Sequence, residues 1–124
     1  MLKEAVHNYV ELITAFADKH EVIVVSAPLP TIEDDAPVGE VAIQRQSITA
    51  SQSERTALTL AFNKSVRGEV LSNPRVRYIN LDEVSLNPAS GLVRDELKNR
   101  RRTDHHYDKK AYARLLTSHL RTIL

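Results

Sequence analysis

The chain has 124 residues, enough for one domain, and its hydrophobic fraction of 42% and charged fraction of 27% are close to globular averages, so disorder is not expected. A formal net charge of +1 gives no general attraction to nucleic acid or to an anionic membrane. The absence of cysteine excludes disulfides, thiolate nucleophiles and cysteine-ligated zinc. No signal peptide and no membrane-spanning apolar run are visible, so we expect a cytoplasmic protein without a membrane partner.

The first third of the chain predicts a helix, a strand and a long loop. Residues 2–19 carry apolar side chains at helical spacing, which indicates an amphipathic helix. The β-branched run at 22–25 is followed by Pro28 and Pro30, and it is typical of a strand buried on both faces of a parallel sheet. Residues 29–50 show no regular pattern. Long loops without structure in compact domains are usually functional or disordered, and in an enzyme this loop would border the substrate.

A second helix and a second strand follow this loop. Ser51 and Glu54 have the spacing of a capping box. The helix that they begin carries an apolar stripe formed by Leu58, Ala61, Phe62, Val66 and Val70. Asn73-Pro74 ends this helix, and residues 76–81 predict a short strand.

The last third predicts a loop at residues 82–90, a short helix within 91–98 and a final helix capped by Asp108. The final helix has an apolar stripe that we expect to lie inside, formed by Ala111, Tyr112, Leu115, Leu116, His119, Leu120 and Ile123.

The order of these elements predicts an α/β fold, a flavodoxin-like three-layer fragment with a short parallel sheet flanked by helices. Two strands make a poor sheet, because small parallel sheets need more strands and helices on both faces. We therefore expect that the pattern hides further strands, that other copies complete the sheet or, preferably, that the chain is part of a larger α/β domain.

The cluster Asp104-His105-His106-Tyr107-Asp108 is the best candidate for chemistry. An imidazole titrates near neutrality and suits general-base work, and a nearby carboxylate can fix its tautomer. The alternative is a solvated loop in which Asp108 only caps the last helix. Adjacent histidines are expected to point apart, and His119 is too distant to be a third ligand, so we expect neither a metal nor another cofactor.

The cluster and the helix after it, residues 108–116, resemble the C-terminal block of SGNH (GDSL-type) hydrolases. The strand that ends in Ser26-Ala27-Pro28-Leu29-Pro30 looks like the penultimate strand of that family. The resemblance implies that His106 is the general base toward a serine and that Asp104 orients it, with His105 as the lesser candidate. It also implies that Pro28, Pro30 and Tyr107 contact the substrate.

The sequence departs from the family pattern at three points. The family block is usually Asp-x-x-His, whereas Thr103 stands where that Asp would fall relative to His106. No Gly-Asp-Ser supplies a nucleophile, and no Gly-x-Asn-Asp supplies an oxyanion donor. We therefore expect residues 1–124 to be a single α/β domain, the C-terminal part of a larger SGNH-like domain, whose serine lies outside this chain.

The resulting expectation is ester hydrolysis or acyl transfer on a small-molecule or carbohydrate ester. The alternative is a non-catalytic interaction or oligomerisation module that completes its sheet with a partner, which includes a homo-oligomer. The basic residues at 98–102 are expected to be solvated rather than to bind nucleic acid, because no recognition helix accompanies them. The acidic run at 33–35 is likewise expected to be solvated.

Overall fold

The computed structural model describes residues 1–35 and 50–124, so the predicted loop at 29–50 lies partly outside the described residues. In chain order the elements are α1 (Leu2–Ala17), β1 (Val22–Val25), α2 (Gln52–Val70), β2 (Val76–Ile79), α3 (Asp82–Ser85), β3 (Leu86–Asn87), β4 (Leu92–Val93), a 3-10 helix (Asp95–Leu97) and α4 (Lys109–Ile123). Among the described helices, none has both the length and the apolar character needed to cross a membrane.

β1 and β2 form a parallel pair that runs in register from Val22 opposite Val76 to Val25 opposite Ile79. α2 lies between them in the sequence, so the three elements make a βαβ unit. The predicted α/β class, with a short parallel sheet flanked by helices, is confirmed. The predicted cap is confirmed as well, because the Ser51 hydroxyl oxygen accepts a hydrogen bond of 3.1 Å from the Glu54 N–H.

One face of the β1–β2 sheet is covered by α1 and α2. Apolar side chains of the two helices and the two strands pack together in a core cluster formed by Val6, Ile13, Ala17, Val24, Val66, Val70 and Val76. The opposite face is reached by the C-terminal end of α4, where the Arg77 guanidinium donates to the Ile123 carbonyl. Helices therefore lie on both sides of the sheet.

The prediction that β1 is buried on both faces is wrong. The Ile23 side chain is 39% exposed, whereas Val24 on the other face is 4% exposed. The predicted burial of the α4 stripe is also wrong, since its apolar side chains are all half-buried. Helical and strand periodicity identify apolar faces that are expected to be buried. The described residues do not form a layer large enough to cover Ile23 and the apolar face of α4.

The prediction that residues 82–90 are all loop is wrong. α3 occupies residues 82–85, and β3 and β4 form an antiparallel hairpin in which Gly91 adopts a φ of +71°. The left-handed region suits glycine because it has no Cβ. The 3-10 helix lies inside the predicted short helix at 91–98, and β4 takes the first part of that range.

Asn63 of α2 ties the helix to the carboxyl end of β1. This side chain is 2% exposed, and its Oδ1 accepts from the Ala27 N–H at 2.9 Å while its Nδ2 donates to the Ala27 carbonyl at 3.0 Å. Nδ2 also donates to Asp82 Oδ1 at 2.8 Å. One amide therefore satisfies both backbone groups of Ala27 and joins the ends of the two strands.

We expect Asn63→Leu to lower the free energy of unfolding by about 2–4 kcal/mol, because it leaves the buried groups around Ala27 without partners. Urea denaturation followed by circular dichroism measures the change. Ser65→Ala, an exposed substitution on the same helix, is the control and should stay within about 0.5 kcal/mol of the parent. An equally small effect of Asn63→Leu would contradict the role of this amide.

Candidate functional site

A pocket of about 650 Å³ opens beyond the carboxyl end of β1. This volume lies within the usual range for small-molecule sites. Three parts of the chain form its wall: the segment after β1, the first half of α2, and the loop that leads into α4. The lining residues are Pro28, Leu29, Pro30, Thr31, Ile32, Arg55, Leu58, Thr59, His105, His106, Tyr107, Lys109 and Tyr112.

The structure brings the predicted site residues together. Both histidines line the pocket with Pro28, Pro30 and Tyr107, although they are far from the prolines in sequence. Asp104 is not part of the lining, but it is hydrogen-bonded to His106. Convergence of this kind at the carboxyl end of a strand is where α/β folds place ligand-binding groups.

Tyr107 fixes the wall of the pocket. Its ring is 7% exposed, and its hydroxyl oxygen accepts a hydrogen bond of 2.7 Å from the Leu29 N–H. Burial raises the pKa of the Tyr107 hydroxyl, so the phenol stays neutral. The ring also meets Tyr112 edge to face, with centroids 5.6 Å apart. Because its hydroxyl accepts from the Leu29 N–H, Tyr107 holds the backbone of the segment after β1 in place as one wall of the pocket.

Asp104 and His106 form a bonded pair at the mouth of the pocket. Asp104 Oδ1 accepts from the His106 backbone N–H at 2.9 Å and lies 2.8 Å from His106 Nδ1. The backbone bond first, and then the ring, lower the pKa of Asp104, so this carboxylate stays ionised at neutral pH. A carboxylate on Nδ1 favours the tautomer that carries the proton there and leaves the Nε2 lone pair free. The His106 side chain is 72% exposed, so Nε2 is open to a reactant.

His105 lies against the ring of His106, with centroids 4.0 Å apart and a tilt of 36°. The expectation that the adjacent imidazoles point apart is therefore wrong. One ligand atom each from Asp104, His105 and His106 lie within 4.8 Å of one another. Zinc–nitrogen bonds of about 2.0–2.1 Å place tetrahedral ligands about 3.3 Å apart, so these exposed side chains would have to close in to hold an ion.

His119 has a separate, local role. Its Nδ1 lies 2.9 Å from the Leu115 carbonyl oxygen one turn earlier in α4, and its side chain is half-buried.

The acidic run after the pocket wall pairs with the basic loop before the histidines. Glu33 binds Lys98 at 3.1 Å and Arg102 at 2.9 Å, and Asp35 binds Arg102 at 3.0 Å. Hydrogen bonds from Lys98 and Arg102 hold the pKa of Glu33 below its usual value. The expectation that both segments are simply solvated is wrong, because acidic side chains of one form ion pairs with basic side chains of the other.

Several lining residues were missed by sequence reasoning. Leu58, part of the apolar stripe of α2, is 54% exposed and lines the pocket. Arg55 lies three residues before Leu58 and four residues before Thr59, so the three side chains lie on the same side of α2. That shared face was the available signal, but a helical stripe alone does not say whether it meets core or cavity. Lys109 was missed because the sequence does not distinguish it from the adjacent Lys110.

Comparison with known proteins shows the fold alone. No family model matches the sequence, and no curated protein matches it. A solved structure from Streptococcus pneumonia, described as a "putative platelet activating factor", matches 99% of this chain with a TM-score of 0.66 and 17% identity. The chain spans 52% of that protein's length. It therefore has the fold of about half of that protein.

We expect His106→Ala to raise the pKa of Asp104 only part of the way to its ordinary value. The substitution removes the ring from Oδ1, but the backbone N–H at residue 106 still donates to the same oxygen. Carboxyl carbon NMR shifts followed from pH 2 to 6 measure this, in the range about the ordinary pKa of Asp. His105→Ala is the control and should have a smaller effect, since His105 acts only through its charge. An unchanged pKa of Asp104 in His106→Ala would contradict the pairing.

Proposed function

We propose that this chain is the C-terminal part of a larger SGNH-like domain of the cytoplasm that hydrolyses esters or transfers acyl groups. Small-molecule or carbohydrate esters are its substrates. The observation that carries the proposal is the 2.8 Å contact between His106 Nδ1 and Asp104 at the mouth of a ligand-sized pocket.

The chemistry assigned to this pair is general-base catalysis. Asp104 keeps the Nδ1–H tautomer of His106, so Nε2 takes the proton as a serine hydroxyl attacks the ester carbonyl. The resulting imidazolium is stabilised by the Asp104 carboxylate and then returns the proton to the leaving alkoxide. The serine and the donors to the oxyanion come from outside this chain, which contains neither Gly-Asp-Ser nor Gly-x-Asn-Asp.

Two observations support a companion segment. The solved neighbour is about twice as long as the part that this chain covers. In addition, Ile23 is exposed on one face of the sheet, and within residues 1–35 and 50–124 the strand β1 has one strand partner. A further parallel strand would pair with the open edge of β1 and bring its own carboxyl end near the pocket, and a helix connected to that strand would cover Ile23.

The test compares this chain with its completed form, the polypeptide read in frame upstream of Met1 or, where that frame is closed, the product of the adjacent gene. Hydrolysis of 4-nitrophenyl acetate is the measurement. The chain alone should show no serine-dependent rate. In the completed form, His106→Ala should lower kcat by about 10²- to 10⁴-fold, the usual contribution of a general base.

His105→Ala is the matched control, because His105 also lines the pocket but is not bonded to Asp104. It should change kcat by less than about tenfold, which is below the usual contribution of a general base. Full activity of the completed form after His106→Ala would assign the base elsewhere. The absence of a serine nucleophile from both upstream products would refute the external-serine proposal.

A second candidate function is a non-catalytic module that associates through its uncovered apolar side chains. Leu12 and Phe16 of α1 are 52% and 54% exposed, and Ile23 adds a third such side chain on the sheet. Exposed apolar surface of this kind often marks an interface. A second copy of the chain would be the simplest partner.

This alternative predicts a dimer in sedimentation equilibrium at micromolar concentration. Ile23→Lys should convert it to a monomer with an unchanged circular dichroism spectrum, because a charge cannot be buried without a partner. Leu71→Lys, at a more exposed apolar position directly after α2, is the control and should remain dimeric. A parent chain that is monomeric at all concentrations would refute self-association.

A further inference from the structure

The permanent charges on the described lining of the pocket have one sign. Among its described lining residues are two permanent cations, Arg55 and Lys109, and neither an aspartate nor a glutamate. This is unexpected in a chain whose overall charge is only +1. A pocket with an excess of one charge raises the local concentration of ligands of the opposite charge.

Arg55 is held in place at the edge of this pocket. Its Nη2 donates to the Ile32 carbonyl at 2.8 Å, and its Nε donates to the Ala50 carbonyl at 3.3 Å. A guanidinium has five N–H donors, so these two bonds leave donors for a ligand. Its side chain is 21% exposed, so part of it is accessible to a ligand.

Three carboxylates in the segments around the pocket have partners of their own. Asp34 forms a long ion pair of 3.9 Å with Arg55, and the same Oδ1 also accepts from the Gln52 N–H at 2.7 Å. Asp104 faces His106, and Asp108 accepts from the first turn of α4. None of the three lines the pocket. Lys109, which is exposed, forms no ion pair within the described residues.

The rest of the lining is mainly apolar. Leu58 is more than half exposed on the pocket side of α2, and the ring of Tyr112 lies across from it on α4. Pro28, Pro30 and Ile32 form the third side. Such a wall binds a hydrocarbon chain, and each buried methylene contributes to affinity.

We infer that the pocket takes amphiphilic esters in which an apolar chain carries an anionic group, a carboxylate or a phosphate. The chain lies against Leu58 and Tyr112, and the anion lies between Arg55 and Lys109. The ester function rests on the proposed function, because it places the scissile bond near His106. The binding preference does not depend on the serine.

The test titrates the chain with three ligands and follows the ring NMR resonances of Tyr112. Monomethyl adipate and dimethyl adipate differ in one charge and both carry a methyl ester, and hexyl phosphate carries a phosphate on a six-carbon chain without a carboxylic ester. We expect both anions to bind about 3- to 10-fold more tightly than dimethyl adipate, as charge-assisted contacts at a partly exposed site allow. The preference should shrink at high salt.

Two matched pairs of variants locate the ligand. Lys109→Gln should reduce the preference for the anions, whereas Lys110→Gln, at the adjacent exposed lysine outside the lining, should not. Leu58→Ser should weaken all three ligands, whereas Leu71→Ser, at an equally exposed leucine outside the lining, should not.

Equal affinities for the two adipates, or a preference that Lys109→Gln leaves unchanged, would overturn the inference. So would affinities that Leu58→Ser leaves unchanged. Binding of the anions by a chain whose completed form hydrolyses no ester would refute the proposed catalysis and leave the ligand class intact. Hydrolysis of neutral and anionic esters at equal kcat/KM would refute the ligand class and leave the proposed catalysis intact.

Discussion

The fold and the site both depend on how the segment after β1 is fixed. Asn63 satisfies both backbone groups of Ala27, and Tyr107 accepts the N–H of Leu29 two residues later. Loop backbone of this kind would otherwise bury unpaired polar groups, which is costly. Because one bond comes from α2 and the other from the histidine loop, the same contacts that end the strand also align the walls of the pocket.

Asp104 and His106 are in hydrogen-bond contact, but their surroundings are those of surface groups. With His106 largely in solvent, water weakens the attraction between imidazolium and carboxylate. Preorganised electrostatics are effective when water is excluded. On the proposed function, a companion segment that closes over the pair would therefore do more than bring a serine: it would lower the local dielectric and strengthen Asp104's effect on His106.

Local features were predictable from the sequence, and long-range ones were not. The caps at Ser51 and Asp108 follow from spacing alone, and both form as expected. The bond from Asp104 to His106 spans two residues, so proximity in sequence suggested it. The positions of Leu58 and Ile23 could not be read in this way, because burial of an apolar side chain depends on which distant layer meets it. The pairing of the acidic and basic segments was missed for the same reason.

The bond between Leu29 and Tyr107 joins residues 78 positions apart, and that between Glu33 and Arg102 joins residues 69 apart. During synthesis at about 5–20 residues per second, the Leu29 amide waits roughly 4 to 16 seconds for its acceptor to be made. α1, β1, α2 and β2 can dock in that interval, since their contacts lie earlier in the chain. The pocket is thus completed after the sheet, and its wall is bonded to water on the nascent chain until the histidine loop arrives.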